Sequence, residues 1–428
     1  MKKVLFIDSW KGGVNYYLRI VPVLHEAGYE TLLLHLGSWG NEAIFEKEEV
    51  IGDLVVRDIS YYNDQNFDSI LHTEKPDLVL FLSSHTFAHR AFNRYCLYRK
   101  IPTINLYHGF VRVQAVDTNG SAYKVSWRSY ASFALKRLPK MIGVTIPTYA
   151  KSLFKTKATF ADWFSFGRNL VEVVTKPGGL RVAADAKTTR CLVYADADKH
   201  HAIKTYGFTK DEVISVGNPD LVQFHLSPSQ IHFGIKHSQE GKYEVMYIDT
   251  ALTATGLIVK SQSAYISHLL DTQKSLNKQG KKLILKPHPE TKRLCDLSLL
   301  ESAGVEIIEN EDFTAKLENC CAVITEPSTL ALIPALMALP LFLAQYDRLK
   351  ELKFGEVLTS YPLSRHLQNV EELSELLGRL IRDVDVSAIE NWIQQNSGPL
   401  PAEDMPKRVV DVIDKLTQEK KIIDSIEV

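Results

Sequence analysis

The chain reads as an α/β protein built from two parallel-sheet domains, and three observations carry that reading. Short apolar runs of strand length alternate with stretches of helix length, the pattern that gives a parallel sheet with helices on both faces. A length of 428 residues suits two domains of ordinary size. The runs also fall into two series, separated by a polar, irregular stretch at 221–242 that contains Ser227-Pro228-Ser229 and Glu240-Gly241-Lys242. The expected division is therefore 1–220 for the first domain, 221–242 for a linker, 243–395 for the second domain and 396–428 for a closing helical segment.

In the first series, Val4–Ile7 is a buried strand, and Asp8-Ser9-Trp10-Lys11-Gly12-Gly13 is a turn leading into a helix from Val14 to Gly28. Gly12-Gly13 at such a junction either tightens the turn or lets backbone approach a ligand closely. Thr31–His35, Asp77–Leu82 and Thr103–Leu106 are the next strands. The third ends in Ser83-Ser84-His85 and the fourth in Tyr107-His108-Gly109-Phe110. In open α/β sheets ligands bind outside the carboxyl ends of the strands. His85 and His108 share that edge, as structural residues or as cleft residues, and Arg112 just beyond could meet an anion. Cys191–Ala195 and Val213–Val216 complete the series, the latter closing at Gly217-Asn218-Pro219-Asp220. Asp196-Ala197-Asp198 has the form of an Asp-x-Asp metal clamp, but Lys199, His200 and His201 follow it, so a plain polar loop is the other reading.

The second series opens with Tyr243–Ile248, ending at Asp249-Thr250, followed by a helix over about 260–278. The stretch around which the chemistry is organised comes next. Lys281 to Leu285 is one buried strand, stopped by Lys286-Pro287-His288-Pro289, since the two prolines lack N–H donors and fix their own φ. His288 is thereby held on a stiff turn at the ligand edge. Farther on, Cys321–Thr325 runs into Glu326-Pro327-Ser328-Thr329 and an apolar helical run to Leu339. Small hydroxyls and free N–H groups at a helix start suit a phosphate, and an ordinary N-cap is the plainer alternative. Val305–Ile308 and Leu341–Leu343 are further strands, and polar helices lie around 369–383 and 404–421. A phosphorylated donor could then rest its phosphate on Ser328 and Thr329 against His288, whose ring N–H stabilises charge growing on a departing phosphate. Asp249 would face the carbon losing that phosphate, as base or as nucleophile, or else cap the following turn.

Composition limits the alternatives. Hydrophobic content of 45% and charged content of 24% are those of a soluble globular protein, and a net charge of −1 argues against a dedicated nucleic-acid binder. The 5 cysteines (Cys96, Cys191, Cys295, Cys320, Cys321) have no metal-binding spacing and fit a reducing cytoplasm. Asp8 ends the first apolar run too early for an export signal, and no run is long enough to span a membrane. Residues 121–181 differ from the rest. Lys124, Arg128, Lys136, Arg137, Lys140, Lys151, Lys155, Lys157, Arg168, Lys176 and Arg181 stand there against only Asp162 and Glu172, with aromatics between them. Such an insertion suits an anionic membrane face or a lipid diphosphate, or is a solvated helical insertion with a basic face.

The Lys286-Pro287-His288-Pro289 and Ser328-Thr329 pair resembles the His-Pro and Ser/Thr motifs of bacterial transferases that use CMP-activated acidic sugars: sialyltransferases, polysialyltransferases and Kdo (3-deoxy-manno-octulosonate) transferases. The Tyr247-Ile248-Asp249 strand end looks most like the retaining β-Kdo transferases of lipopolysaccharide and capsule assembly. The resemblance implies a GT-B fold, two Rossmann-like parallel-sheet domains facing across a cleft, and a glycosyltransferase that takes Kdo from CMP-Kdo to a surface glycan such as O-antigen or capsule. It implies Asp249 and His288 as catalytic residues, Lys286, Pro289, Glu326, Ser328 and Thr329 around the donor, and no metal or other cofactor. Lys11, Gly12, Gly13, His85, His108, Gly109 and Arg112 would line the acceptor side, Lys11, Arg112 and Lys286 being candidates to neutralise the donor carboxylate. Partners would be the CMP-activated acidic sugar and a lipid-linked or oligosaccharide acceptor, met in the cytoplasm at the inner face of the membrane, with peripheral contact to it. The specific motifs lie within 243–340. The first domain has no match to the Asp/Glu-Asp/Glu-Gly acid–base motif of sialyltransferases, which disfavours a CMP-sialic acid enzyme working by inversion. His108-Gly109 and Gly217-Asn218-Pro219 resemble turns in a wider group that includes CDP-glycerol phosphotransferases, and a UDP-sugar 2-epimerase of the same architecture is a further alternative.

Overall fold

The computed structural model describes residues 2–40, 43–107, 135, 138–175, 184–236, 241–251, 261–383 and 385–426. Of the expected site residues, His108, Gly109 and Arg112 lie outside these, as does much of the insertion 121–181. Contacts divide the chain into two compact units: the described residues up to Gly217 together with those from Glu403 onward, and Asn218–Ala402.

The first unit is built on strands β1 (Lys2–Asp8), β2 (Tyr29–His35), β3 (Glu48–Ile51), β4 (Leu54–Asp58), β5 (Leu78–Phe81), β6 (Thr103–Leu106), β7 (Arg190–Val193) and β8 (Val213–Ser215). They form one sheet in the order β3-β4-β2-β1-β5-β6-β7-β8, parallel except for β3 against β4. The central strands are apolar on both faces because helices cover both; Val4, Leu5, Phe6, Ile7 and Leu78 to Phe81 are fully buried. Each such side chain contributes about 1.5–3 kcal/mol relative to exposure. The last helix, Met405–Ile426, returns to this unit, where Asp414 accepts from Tyr29 Oη (2.6 Å) and Lys2 Nζ (3.3 Å).

The second unit carries β9 (Glu244–Ile248), β10 (Lys282–Lys286), β11 (Glu306–Ile307), β12 (Cys320–Thr325), β13 (Leu341–Ala344) and β14 (Ser364–Leu367). All pair in parallel, in the order β11-β10-β9-β12-β13-β14. This is the doubly wound order, and its switch point lies between β9 and β12, where a crevice opens outside the strand ends. The stretch 221–242, expected as a linker, is bonded into this unit: the N–H of His232 donates to Leu336 O (3.0 Å) and that of Gly234 to Met337 O (2.7 Å).

The sequence expectation misses the β3–β4 hairpin and β14. Two of the edge strands, β3 and β14, have solvent on part of their surface, and Ser364-Arg365-His366-Leu367 shows no apolar run. The single helix expected over Val14–Gly28 is two, Val14–Tyr17 and Val21–Glu26. Pro22 has no N–H to give and its ring obstructs the preceding turn, so the helix restarts there. Asp196-Ala197-Asp198, expected on a loop, is the start of a helix, Asp196–Tyr206, where acids favour the positive end of the dipole.

Candidate active site

At the second switch point, three strand ends meet. β9 ends in Asp249 and Thr250, β12 in Glu326, and β10 on the other side of β9 in Pro287 and His288. The parallel register puts Ile248 beside Lys286 and Thr325, so the residues after each strand arrive at one level. The strand order places Asp249, His288 and Ser328-Thr329 after three neighbouring strands, at one edge of this sheet. The hydrogen bonds of each side chain follow from where it stands.

Asp249 is 3% exposed. Its Oδ1 accepts from the N–H of Ala251 (2.9 Å) and its Oδ2 from the N–H of His288 (3.0 Å). The carboxylate therefore ties the end of β9 to the turn after β10. Ala251 sits at φ +57, a left-handed conformation that costs a non-glycine residue about 1–2 kcal/mol, and the Asp249 bond helps hold it. Each oxygen of this carboxylate thus accepts one backbone amide, and together they frame the two loops.

Glu326, expected on the donor surface, is 1% exposed. Its Oε1 accepts from Tyr247 Oη (2.8 Å), and its Oε2 from the N–H (2.8 Å) and hydroxyl (2.5 Å) of Thr250. Burial pushes its pKa up to about 8, the Asp249 charge adds to the rise, and hydrogen bonds from Thr250 and Tyr247 oppose it. The neutral carboxyl is accommodated because the Tyr247 hydroxyl can turn toward His268 Nε2, 3.5 Å away. Burial also pushes His268 down to about 4, so its ring is neutral and can accept. Tyr265 lies buried beside the pair; burial first, then the Asp249 and Glu326 charges, hold its hydroxyl well above the ordinary range. Sequence reasoning missed Tyr247, Thr250 and Tyr265. The signal for Tyr247 was present: a hydroxyl in an aliphatic strand, two residues before an acid on the same face.

Lys286, also expected at the donor, is 4% exposed and donates to Pro287 O (3.3 Å). Burial, and then Lys292, lower its pKa, while Glu309, Asp249 and Glu311 oppose the shift. It supports the turn from beneath. His288, by contrast, is exposed. Its Nδ1 accepts from the N–H of Glu290 (3.1 Å), capping the helix Pro289–Leu294, with Pro289 at the position where a missing N–H costs nothing. That bond places the ring hydrogen on Nε2, which is left facing outward as a donor. Ser328 caps the helical turn Thr329–Ala331 through Leu330 N–H (3.3 Å), and Thr329 is exposed.

The first unit's switch point lies between β1 and β5. Ser9 Oγ sits 3.3 Å from His89 Nε2, bridging the two loops. His89 is buried and pushed down to about 3, by burial and then by His85. His85 is half-buried, bonds Tyr206 Oη through Nε2 and stacks on that ring at 5.0 Å. A Cβ on Gly13 would meet Asp8 Oδ2 at 2.1 Å, and one on Gly12 the Trp10 ring at 2.3 Å, so a larger residue at either place must displace one of these side chains. Lys11, expected as a cleft cation, is ion-paired with Glu49 at 2.7 Å. The two acids of Asp196-Ala197-Asp198 diverge: Asp196 pairs with Lys199 (2.8 Å) at the surface and Asp198 is fully buried. Among the described residues no group of three His, Cys, Asp or Glu side chains is placed to hold a metal ion, and no helix is long and apolar enough to cross a membrane.

No family model matches the chain, and no curated protein matches it. Solved structures do resemble it. The calicheamicin glycosyltransferase CalG4 superposes with a TM-score of 0.54 at 13% identity, over 98% of this chain and 99% of that one. The fold is GT-B. The wall teichoic acid polymerase TagF, in its H444N variant, gives 0.52 at 13% identity over 98% and 89%. The same variant soaked with CDPG gives 0.51 at 14% over 98% and 90%. At these identities the likeness carries the GT-B architecture of two Rossmann-like domains.

Proposed function

We propose that the protein is a glycosyltransferase that moves a Kdo-type ulosonic acid from its CMP-activated donor to a surface glycan, working at the cytoplasmic face of the membrane. One observation carries this reading: the outward Nε2–H of His288 and the hydroxyls of Ser328 and Thr329 come from loops after β10 and β12, flanking β9 at one strand edge. That is the arrangement a leaving phosphate requires. In the reaction the bond from the anomeric carbon to the phosphate oxygen breaks, CMP leaves with the electron pair, and an acceptor hydroxyl bonds to the carbon and passes its proton to solvent water. His288 donates to the departing phosphate, and Ser328 and Thr329 hold it. Asp249 acts as a positioning residue, since both its oxygens accept backbone amides. The first unit's Gly12-Gly13 turn and His85 serve the acceptor, together with His108, Gly109 and Arg112.

The test is incubation of the protein with CMP-Kdo and a glycan acceptor, following CMP release and the mass of the intact protein. Acceptor-dependent CMP release with an unmodified protein mass supports the reading. An added sugar on Asp249 would make it the nucleophile of a retaining reaction, as its sequence context suggests, and would remove the positioning role. A second reading, transfer from a CDP-activated donor as by the CDP-glycerol phosphotransferases, is favoured by the likeness to TagF, which was solved with CDPG. Turnover of CDP-glycerol in place of CMP-Kdo selects it.

A further inference from the structure

The helix Phe160–Thr175 is apolar on two faces, and the first unit uses one of them. The inner face is firmly seated. Phe166 packs against Tyr149 (5.2 Å between ring centroids) and Phe87 (5.9 Å), and Arg94 binds Asp162 (3.4 Å). Beneath it the buried Arg90 guanidinium joins Asp185 (2.8 Å) to the Tyr149 hydroxyl (2.7 Å), which fixes the neighbouring helix Ile146–Lys155. The helix cannot roll to hide its other side. On that side Phe160, Phe164 and Val171 are 86%, 68% and 62% exposed and line a shallow groove with Arg168. Phe154, at the end of the preceding helix, is 75% exposed beside them. A surface helix ordinarily turns charged residues to water on its outer face, and this one turns phenylalanines.

The surroundings of the stripe are cationic. Over 138–175 the chain carries Lys140, Lys151, Lys155, Lys157 and Arg168, all exposed, against Asp162 and Glu172 alone. Asp162 is held by Arg94 and by the Thr159 N–H (2.9 Å). We propose that this face docks on an anionic lipid bilayer, with Phe160, Phe164 and Phe154 at the boundary of headgroups and acyl chains and the lysines and Arg168 on lipid phosphates. Charge selects this occupant: a second copy meeting the same face about a two-fold axis would bring cations against cations. Docking needs no nucleotide, so it stands or falls apart from the transfer reaction.

The test is co-sedimentation of the full chain with vesicles of phosphatidylcholine, with and without phosphatidylglycerol. Binding is expected with phosphatidylglycerol, weakening as salt is raised. Phe160→Ser combined with Phe164→Ser should weaken it by about tenfold or more, and Arg168→Glu should also weaken it, all with unchanged melting temperature because these side chains are exposed. Absence of vesicle binding by the unaltered chain overturns the proposal, as does binding that the double variant leaves intact. So does a concentration-dependent dimer in sedimentation velocity that Phe164→Ser abolishes.

Discussion

The two sheets share a topology and solve the same local problem in different ways. Each has a switch point beside its first strand, with an aspartate just inside it: Asp8 at the end of β1 and Asp249 one residue past β9. In the first unit the acid lies against the Gly12-Gly13 turn, and hydrogen-bonded side chains, Ser9 with His89 and His85 with Tyr206, bridge the loops. In the second unit the acid binds amides from two different loops, and a second buried acid, Glu326, holds the next residue of the same loop. One edge is a close-fitting backbone turn and the other a polar frame. Such a frame sets the position of whatever stands on it, and His288 stands directly on Asp249 through its own N–H. A group that must meet a phosphate within hydrogen-bond reach gains from that rigidity.

The comparison can be broken at either frame. The largest effect is expected from Asp249→Asn. The amide keeps one acceptor, so a buried N–H of Ala251 or His288 loses its partner, the turn shifts, and turnover should fall by about a hundredfold. Steady-state kinetics on CMP-Kdo checks this, and full activity would show that the frame is dispensable. The Glu326 carboxyl gives a pH signature. Its folded pKa of about 8 lies above the ordinary value of 4.5, so its contribution to stability is fully present below 4.5 and is lost as pH rises through about 8. Melting curves from pH 5 to 9 should show this loss, and Glu326→Gln should flatten it. In the first unit Gly13→Ala drives a Cβ into the Asp8 carboxylate and should cost about 1–3 kcal/mol in denaturant unfolding. Ser328→Ala removes one cap and should cost about 1 kcal/mol by the same measurement.

Much of this was legible in the sequence. The apolar runs Val4–Ile7, Leu283–Leu285 and Val323–Thr325 are buried on both faces and so announce themselves, and the prolines around His288 place the strand end. The edge strands β3 and β14 did not announce themselves, because each is partly open to solvent and neither carries a long apolar run. The positions of the site residues were legible, but not their burial. Lys286 and Glu326 are charged residues next to a motif, which reads as ligand binding, while the fold places them at 4% and 1% exposure. Which acid is covered depends on partners far along the chain, such as Tyr247 and Thr250 for Glu326, and no local spacing encodes that pairing.

The central claim is that the nucleotide phosphate rests on the second unit's edge beside His288. Calorimetric titration with CMP tests it most directly in two variants: His288→Asn, which keeps an acceptor for the Glu290 N–H and removes the outward ring nitrogen, and His85→Asn in the first unit. The account predicts that CMP affinity falls about tenfold in His288→Asn, one charge-assisted hydrogen bond, and holds in His85→Asn. Unchanged affinity in His288→Asn with a loss in His85→Asn would place the nucleotide on the other sheet and contradict it.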